Sequence, residues 1–275
     1  MPYGKVTQES ALSKAVTIHT LRKMKAEKDK FVTVALYDAP MAAMAKKSGV
    51  QVLLVGDSLG MTVLGYDSTI PVTMEQMIYH VEAVKRGNDK SLIMGDMPFM
   101  SYATPEQAMI NATRIMQAGA HMVKMEGGEW LAETVKMLSD RGIPVCAHLG
   151  LTPQSVNKMG GYKVQGRDEA QAQTILKDAK LLDEAGADLL VLECVPNGLA
   201  DAITQAVSMP TIGIGAGGKT DAQVLVINDI LGLTEQPPKF SKNFLLESED
   251  IPGSLKKFVD DVRAGVFPSD EHTFG

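Results

Sequence analysis

Residues 51–58 read QVLLVGDS and residues 92–96 read LIMGD. Each is a short apolar run that stops on Gly-Asp, with no polar alternation inside it. A strand buried on both faces of a parallel sheet reads this way, and its last residue is delivered to one end of the sheet. Six further runs repeat the theme, at residues 31–36, 122–125, 144–147, 189–192, 211–214 and 223–227. Helical patterns fall between most of them. Thr73-Met74-Glu75-Gln76 is a capping box that opens a helix to about Arg86, with Gly87 as its stop. Thr104-Pro105-Glu106-Gln107 opens a second, which ends near Gly119. Residues 130–141 and 168–184 form two more, closed by Gly142 and Gly186. Strand and helix alternating eight times predict one α/β domain over residues 1–275, a (β/α)8 TIM barrel. An extra helix over residues 7–27 precedes it. The last run, continued to Leu233, can also be read as one helix.

Composition narrows the function. The 275 residues are 45% hydrophobic and 22% charged, enough for a large core. The net charge is -6 and no basic cluster occurs, which argues against a nucleic-acid partner. The apolar runs fall far short of the roughly 20 residues that span a bilayer. The first 15 residues lack the apolar segment of a signal peptide, and the last seven carry no lipidation motif. A cytoplasmic enzyme is therefore expected. The two cysteines, Cys146 and Cys194, fit no zinc spacing and are expected as thiols.

In a parallel barrel the active site lies at the C-terminal ends of the strands, where the polar termini of these runs fall. Asp57 and Asp96 are hard carboxylates without cysteine or histidine partners, which suits magnesium. Glu126 can be a third ligand, directly or through water. The alternative for a single strand-end aspartate is capping of the next helix; two of them with Lys124 and Glu126 favour a site. Lys124 and Glu126 share one face of their strand by period-two alternation. Nearby acids keep Lys124 charged, so it suits carboxylate or oxyanion binding better than Schiff-base chemistry. His148 is either a pocket residue or a core histidine. Glu193 ends an apolar strand with no basic neighbour in sequence, a candidate general base. Cys194 beside it reads as small buried filler. The long connections 57–72 and 149–167 are candidate lids. Residues 213–220 (GIGAGGKT) match the nucleotide P-loop literally, but that loop needs a helix at once after Gly-Lys-Thr and much more α/β chain beyond it. These glycines are expected instead to pack the barrel end or to admit a ligand closely.

Several longer stretches carry a family resemblance. They are VGDSLGMTVLGYDSTIPVT (55–73), DMPFMSY (96–102), AGAHMVKMEG (118–127), HLGLTP (148–153), GGYKVQGR (160–167), LECVP (192–196) and GIGAG (213–217). Over about residues 15–245 the sequence resembles the ketopantoate hydroxymethyltransferase (3-methyl-2-oxobutanoate hydroxymethyltransferase) family. It departs in its first strand, Val-Ala-Leu-Tyr-Asp for a usual Thr-Ala-Tyr-Asp, and at Ala222, where Gly is common. The resemblance implies a barrel like those of the phosphoenolpyruvate mutase and isocitrate lyase group, and a homodecamer. It implies hydroxymethyl transfer from 5,10-methylenetetrahydrofolate to 3-methyl-2-oxobutanoate, the first committed step of pantothenate and so coenzyme A synthesis. In that pattern Asp57 and Asp96 hold Mg2+ and contact the keto acid, and Glu126 is the third metal-associated carboxylate. Ser58, Lys124 and His148 meet substrate, and Glu193 is the base. The alternatives are another magnesium-dependent 2-oxo-acid lyase or mutase of the same barrel group, or a catalytically silent barrel. No pterin-specific motif marks a folate pocket.

Overall fold

The computed structural model describes residues 11–275. Eight parallel strands close into one barrel in sequence order. They are β1 (Phe31–Ala35), β2 (Val52–Val55), β3 (Leu92–Asp96), β4 (Met122–Glu126), β5 (Val145–Gly150), β6 (Leu189–Glu193), β7 (Thr211–Ile214) and β8 (Ala222–Val226). β1 pairs with both β2 and β8, so the sheet has no free edge. All eight lie where the apolar runs place them, to within three residues, the largest difference being β5, which runs on to Gly150.

Alternation along each strand separates two cores. Val32, Val34, Leu53, Val55, Ile93, Val123 and Met125 face outward into the layer shared with the helices. Phe31, Ala35, Val52, Leu54, Leu92, Met94, Met122, Cys146, Leu189 and Val191 face inward and fill the barrel. Counting on by twos from the inward residues of β3 to β6 reaches Asp96, Lys124, Glu126, His148 and Glu193. The sequence thus points these five groups into the barrel at its C-terminal mouth before any loop is considered.

The helices form as their caps require. Thr73 and Gln76 make the reciprocal capping box of helix Met74–Gly87. Thr104 caps Pro105–Gln117 and Asp168 caps Glu169–Glu184. The segment read as one helix from residue 130 is a 3-10 turn, Glu129–Leu131, followed by helix Ala132–Ser139.

Two expectations need correction. The extra N-terminal helix runs Ile18–Glu27, not from residue 7; residues 7–10 of that expectation lie outside the described residues, and 11–17 are irregular. Thr17 and Thr20 form its capping box, which fixes the start. The helix plugs the barrel floor. Leu21 and Met24 join the interior cluster, Arg22 reaches Asp188 at 2.7 Å, and Lys25 reaches Asp221 at 2.9 Å. The strand–helix alternation also lapses once: β7 passes to β8 through the glycine turn alone. The turn is tied internally, because Gln223 Nε2 donates to Gly217 O and Thr220 Oγ1 while Lys30 Nζ donates to Gly218 O and Thr220 O. After β8 come a single helical turn, Ile227–Ile230, and the last long helix, Ile251–Arg263, which packs on β1 and on helix Ala39–Lys47. Among the described residues no helix is long and apolar enough to cross a membrane.

Candidate active site

All seven residues singled out in the sequence, Asp57, Ser58, Asp96, Lys124, Glu126, His148 and Glu193, line one cavity of about 560 Å³ at the barrel mouth. Register explains the closeness. Asp96 on β3 is level with Lys124 on β4, and Glu126 is level with His148 on β5. Lys124 Nζ lies 2.7 and 2.8 Å from the two oxygens of Asp96 and 3.8 Å from Glu126 Oε1. His148 stands between two acids, with Nδ1 3.4 Å from Glu126 Oε1 and Nε2 3.3 Å from Glu193 Oε2. Asp57 arrives from the turn after β2, where its backbone N–H donates to Asp96 Oδ2 at 3.2 Å. Ser58 Oγ meets Tyr37 Oη at 2.8 Å.

Charge in this pocket is unevenly compensated. Burial raises the Asp57 carboxyl well above the ordinary carboxylate range, and the neighbouring Asp96 and Glu126 push it further. Burial raises Asp96 as well, against the pull of Lys124. For Lys124 burial works downward, yet Asp96, Glu126 and Asp57 outweigh it and hold the ammonium charged. Glu126 is also buried, but His148, Lys124 and the Gln154 N–H keep its carboxyl below the usual range. Burial and Lys124 disfavour a charged His148; the two glutamates win and lift it to about 9. Glu193 differs from the rest in keeping 16% of its side chain accessible, toward the cavity. Its basic neighbour, His148, is distant in sequence and adjacent in space.

Gln154 was not singled out in the sequence, although it directly follows HLGLTP. Its side-chain amide donates to Asp57 Oδ2 at 2.8 Å and to Met97 O at 2.9 Å, while its backbone N–H donates to Glu126 Oε2 at 3.0 Å. Its own carbonyl accepts from Tyr102 Oη at 2.5 Å. Tyr102 is held in turn by stacking on Trp130, with centroids 6.1 Å apart and planes within 7°. Through its amide and its backbone N–H, Gln154 thus sets two carboxylates, Asp57 after β2 and Glu126 on β4. Such a link is invisible in sequence because 97 residues separate Gln154 from Asp57.

The long connections 57–72 and 149–167 both reach the cavity, through Met61, Thr62 and Thr69 in the first and Leu151, Pro153 and Tyr162 in the second. A third contributor, unforeseen in the sequence, is the chain after β8, which supplies Asp229, Lys239 and Phe240, together with Phe274 from the tail. Both cysteines sit where the thiol is favoured over the thiolate. Burial pushes the Cys146 thiol up to about 12, and burial with the adjacent Glu193 raises Cys194 too. The glycine-rich turn is no nucleotide loop, since strand β8 and not a helix follows it. At Gly213 an added Cβ would stand 2.6 Å from Thr220 Oγ1, so the glycine serves close packing.

Buried hard oxygen donors, one of them without a cationic partner, suit a small divalent cation such as magnesium. Among the described residues no three His, Cys, Asp or Glu side chains converge tightly enough to hold a metal by themselves. A metal here would draw its remaining ligands from water and substrate, as magnesium usually does.

A family model described as ketopantoate hydroxymethyltransferase matches residues 15–270. A 3-methyl-2-oxobutanoate hydroxymethyltransferase of Saccharophagus degradans is 74% identical over 263 residues, covering 96% of this chain and 97% of the relative. One from Yersinia enterocolitica is 57% identical, over 95% and 99%. Among solved structures, phosphonopyruvate hydrolase in complex with oxalate and Mg2+ superposes with a TM-score of 0.60 at 12% identity, over 94% of this chain and 93% of that one. A 2,3-dimethylmalate lyase of the phosphoenolpyruvate mutase/isocitrate lyase superfamily superposes with a TM-score of 0.52 at 17% identity, over 71% and 70%. These structural likenesses bear on the fold.

Proposed function

The chain belongs to the ketopantoate hydroxymethyltransferase family, and from that premise we propose how its barrel mouth carries out hydroxymethyl transfer to 3-methyl-2-oxobutanoate, giving 2-dehydropantoate. The one-carbon donor is 5,10-methylenetetrahydrofolate. The observation that carries the reading is the set Asp57, Asp96, Lys124, Glu126, His148 and Glu193 around one cavity, with Glu193 the one acid open to a substrate.

Magnesium fits the donor set: Asp57 and Asp96 would hold it, and Glu126, already engaged by Gln154 and His148, would join through water. When bound, the ion would supply positive charge opposite the keto oxygen, where negative charge grows as the enolate forms. A Mg2+ and oxalate complex of a barrel with the same fold supports this choice.

The chain's own groups do the rest. Lys124, kept charged by its acids, and the Ser58 hydroxyl, placed by Tyr37, bind the keto-acid oxygens. Glu193 removes the proton at C3. His148 orients that carboxylate from 3.3 Å and, as a cation, keeps a positive charge inside the acid ring. The enolate carbon then bonds to the methylene carbon of the donor as the bond from that carbon to one folate nitrogen, N10, breaks and N10 takes up a proton. Water replaces the folate nitrogen on that carbon, which leaves the hydroxymethyl group on product and releases tetrahydrofolate. The connections 57–72 and 149–167 wall the cavity and keep bulk water from the enolate. One family model spanning residues 15–270 supports a single domain. We read the protein as a cytoplasmic homo-oligomer, a decamer by family resemblance.

Purified protein with Mg2+, 3-methyl-2-oxobutanoate and methylenetetrahydrofolate is expected to form 2-dehydropantoate and tetrahydrofolate in equal amounts by mass spectrometry. Keto acid recovered unchanged, or cleaved, would overturn the assignment.

A further inference from the structure

One buried acid at the cavity has no part in the chemistry above. Asp229, in the helical turn Ile227–Ile230 after β8, is 7% exposed and lines the same cavity as Asp57 and Glu193. Its Oδ1 accepts from Thr234 Oγ1. Among the described residues Oδ2 accepts no hydrogen bond, and no Lys, Arg or His pairs with the carboxyl. Oδ2 is left accessible at the cavity, where a ligand donor can complete the carboxyl. Burial raises its pKa, with the Thr234 bond opposing. The complement of such a group is a planar fork of adjacent N–H donors, as in a guanidinium.

The surroundings narrow the ligand further. The barrel floor is sealed by Phe31, Leu21 and Met24, so both substrates must enter at the mouth. About 560 Å³ lies within the roughly 300–1,000 Å³ that holds drug-sized ligands, well beyond what a five-carbon keto acid needs. The side of the mouth that continues from β8 is aromatic, built by Phe240 and Phe274. Lys163 and Lys239 also line the cavity; Lys239 lies 5.2 Å over the Phe274 ring, donates to Thr273 O, and is paired with no carboxylate among the described residues.

We propose that Asp229 binds the 2-amino-4-oxopyrimidine edge of the folate donor. Its carboxylate accepts from the ring N–H and the 2-amino group. The pterin lies on the Phe240 side of the mouth, and the glutamate tail leaves past Lys163 and Lys239. This assignment rests on the donor reading above.

The test is calorimetric titration of the full-length protein with tetrahydrofolate, in the presence of Mg2+ and 3-methyl-2-oxobutanoate. Asp229→Asn turns one acceptor into a donor facing donors. Loss of charge-assisted hydrogen bonds, roughly 1.5–3 kcal/mol, corresponds to about 10–100-fold weaker tetrahydrofolate binding. The affinity for the keto acid, measured on the same variant, should stay within about twofold, which reports an intact fold. In steady state the donor KM rises more than kcat falls. A second probe needs no variant: a 2-desamino analogue of tetrahydrofolate should bind the unaltered protein about tenfold more weakly or worse. Equal binding by Asp229→Asn, or equal affinity for the analogue, overturns the assignment of Asp229 alone. Absence of tetrahydrofolate binding to the unaltered protein overturns the donor reading and this site with it.

Discussion

Gln154 shows how much of this site is set one hydrogen bond away from the chemistry. Its amide and backbone N–H fix Asp57 and Glu126 together, and Tyr102 fixes the amide. In Gln154→Ala the buried partners Asp57, Met97 O and Tyr102 lose those bonds. Each buried group left unsatisfied costs about 1–3 kcal/mol. We expect the urea midpoint to fall and Mn2+, used as a magnesium surrogate, to bind at least about tenfold more weakly by spin-resonance titration. Unchanged metal affinity would reduce Gln154 to a structural role. The acids and the lysine of this site were legible in the sequence because each lies within, at the end of, or just after a buried apolar strand. Gln154 and Asp229 were not. Both act from short helical turns beyond the strand ends, and their partners are set by the tertiary fold and not by spacing along the chain.

Among the elements, the barrel was the most legible. Strands buried on both faces leave unbroken apolar runs, so β1 to β7 stand out without alternation, while the run of β8 could also be read as helix. Between β7 and β8 the sequence offered GIGAGGKT, read as a packing turn and not as a nucleotide loop, and the structure has no helix there. What decides against the helix is that Asp221 is spent elsewhere: it accepts from Lys25 and from Thr211, and so anchors the start of β8. The N-terminal helix began eleven residues later than the pattern suggested, at the Thr17 cap. Its role as the floor follows from Leu21, fully buried in the interior cluster. Leu21→Ala should cost about 2–5 kcal/mol in chemical unfolding, as large-to-small core changes do. A loss below about 0.5 kcal/mol, typical of surface positions, would show that the helix does not close the barrel.

At the scale of the whole molecule, stability and function pull against each other. Asp57 is buried beside two other carboxylates, with Lys124 committed to Asp96. Metal-free protein carries that repulsion, which a bound divalent cation relieves. Added Mg2+ is therefore expected to raise the thermal midpoint. Asp57→Asn should raise the midpoint of the metal-free protein and abolish the Mg2+ response. A variant that melts lower without metal, or that still responds to it, contradicts this placement of charge. The central claim is narrower still: Glu193, the open acid of the ring, takes the proton from C3. Exchange at C3 of 3-methyl-2-oxobutanoate in heavy water with Mg2+, followed by proton NMR, isolates that step from one-carbon transfer. The unaltered protein should exchange C3 readily without any donor, and Glu193→Gln should exchange about 100–10,000-fold more slowly while still binding the keto acid. Exchange by Glu193→Gln at the rate of the unaltered protein would remove Glu193 as the base.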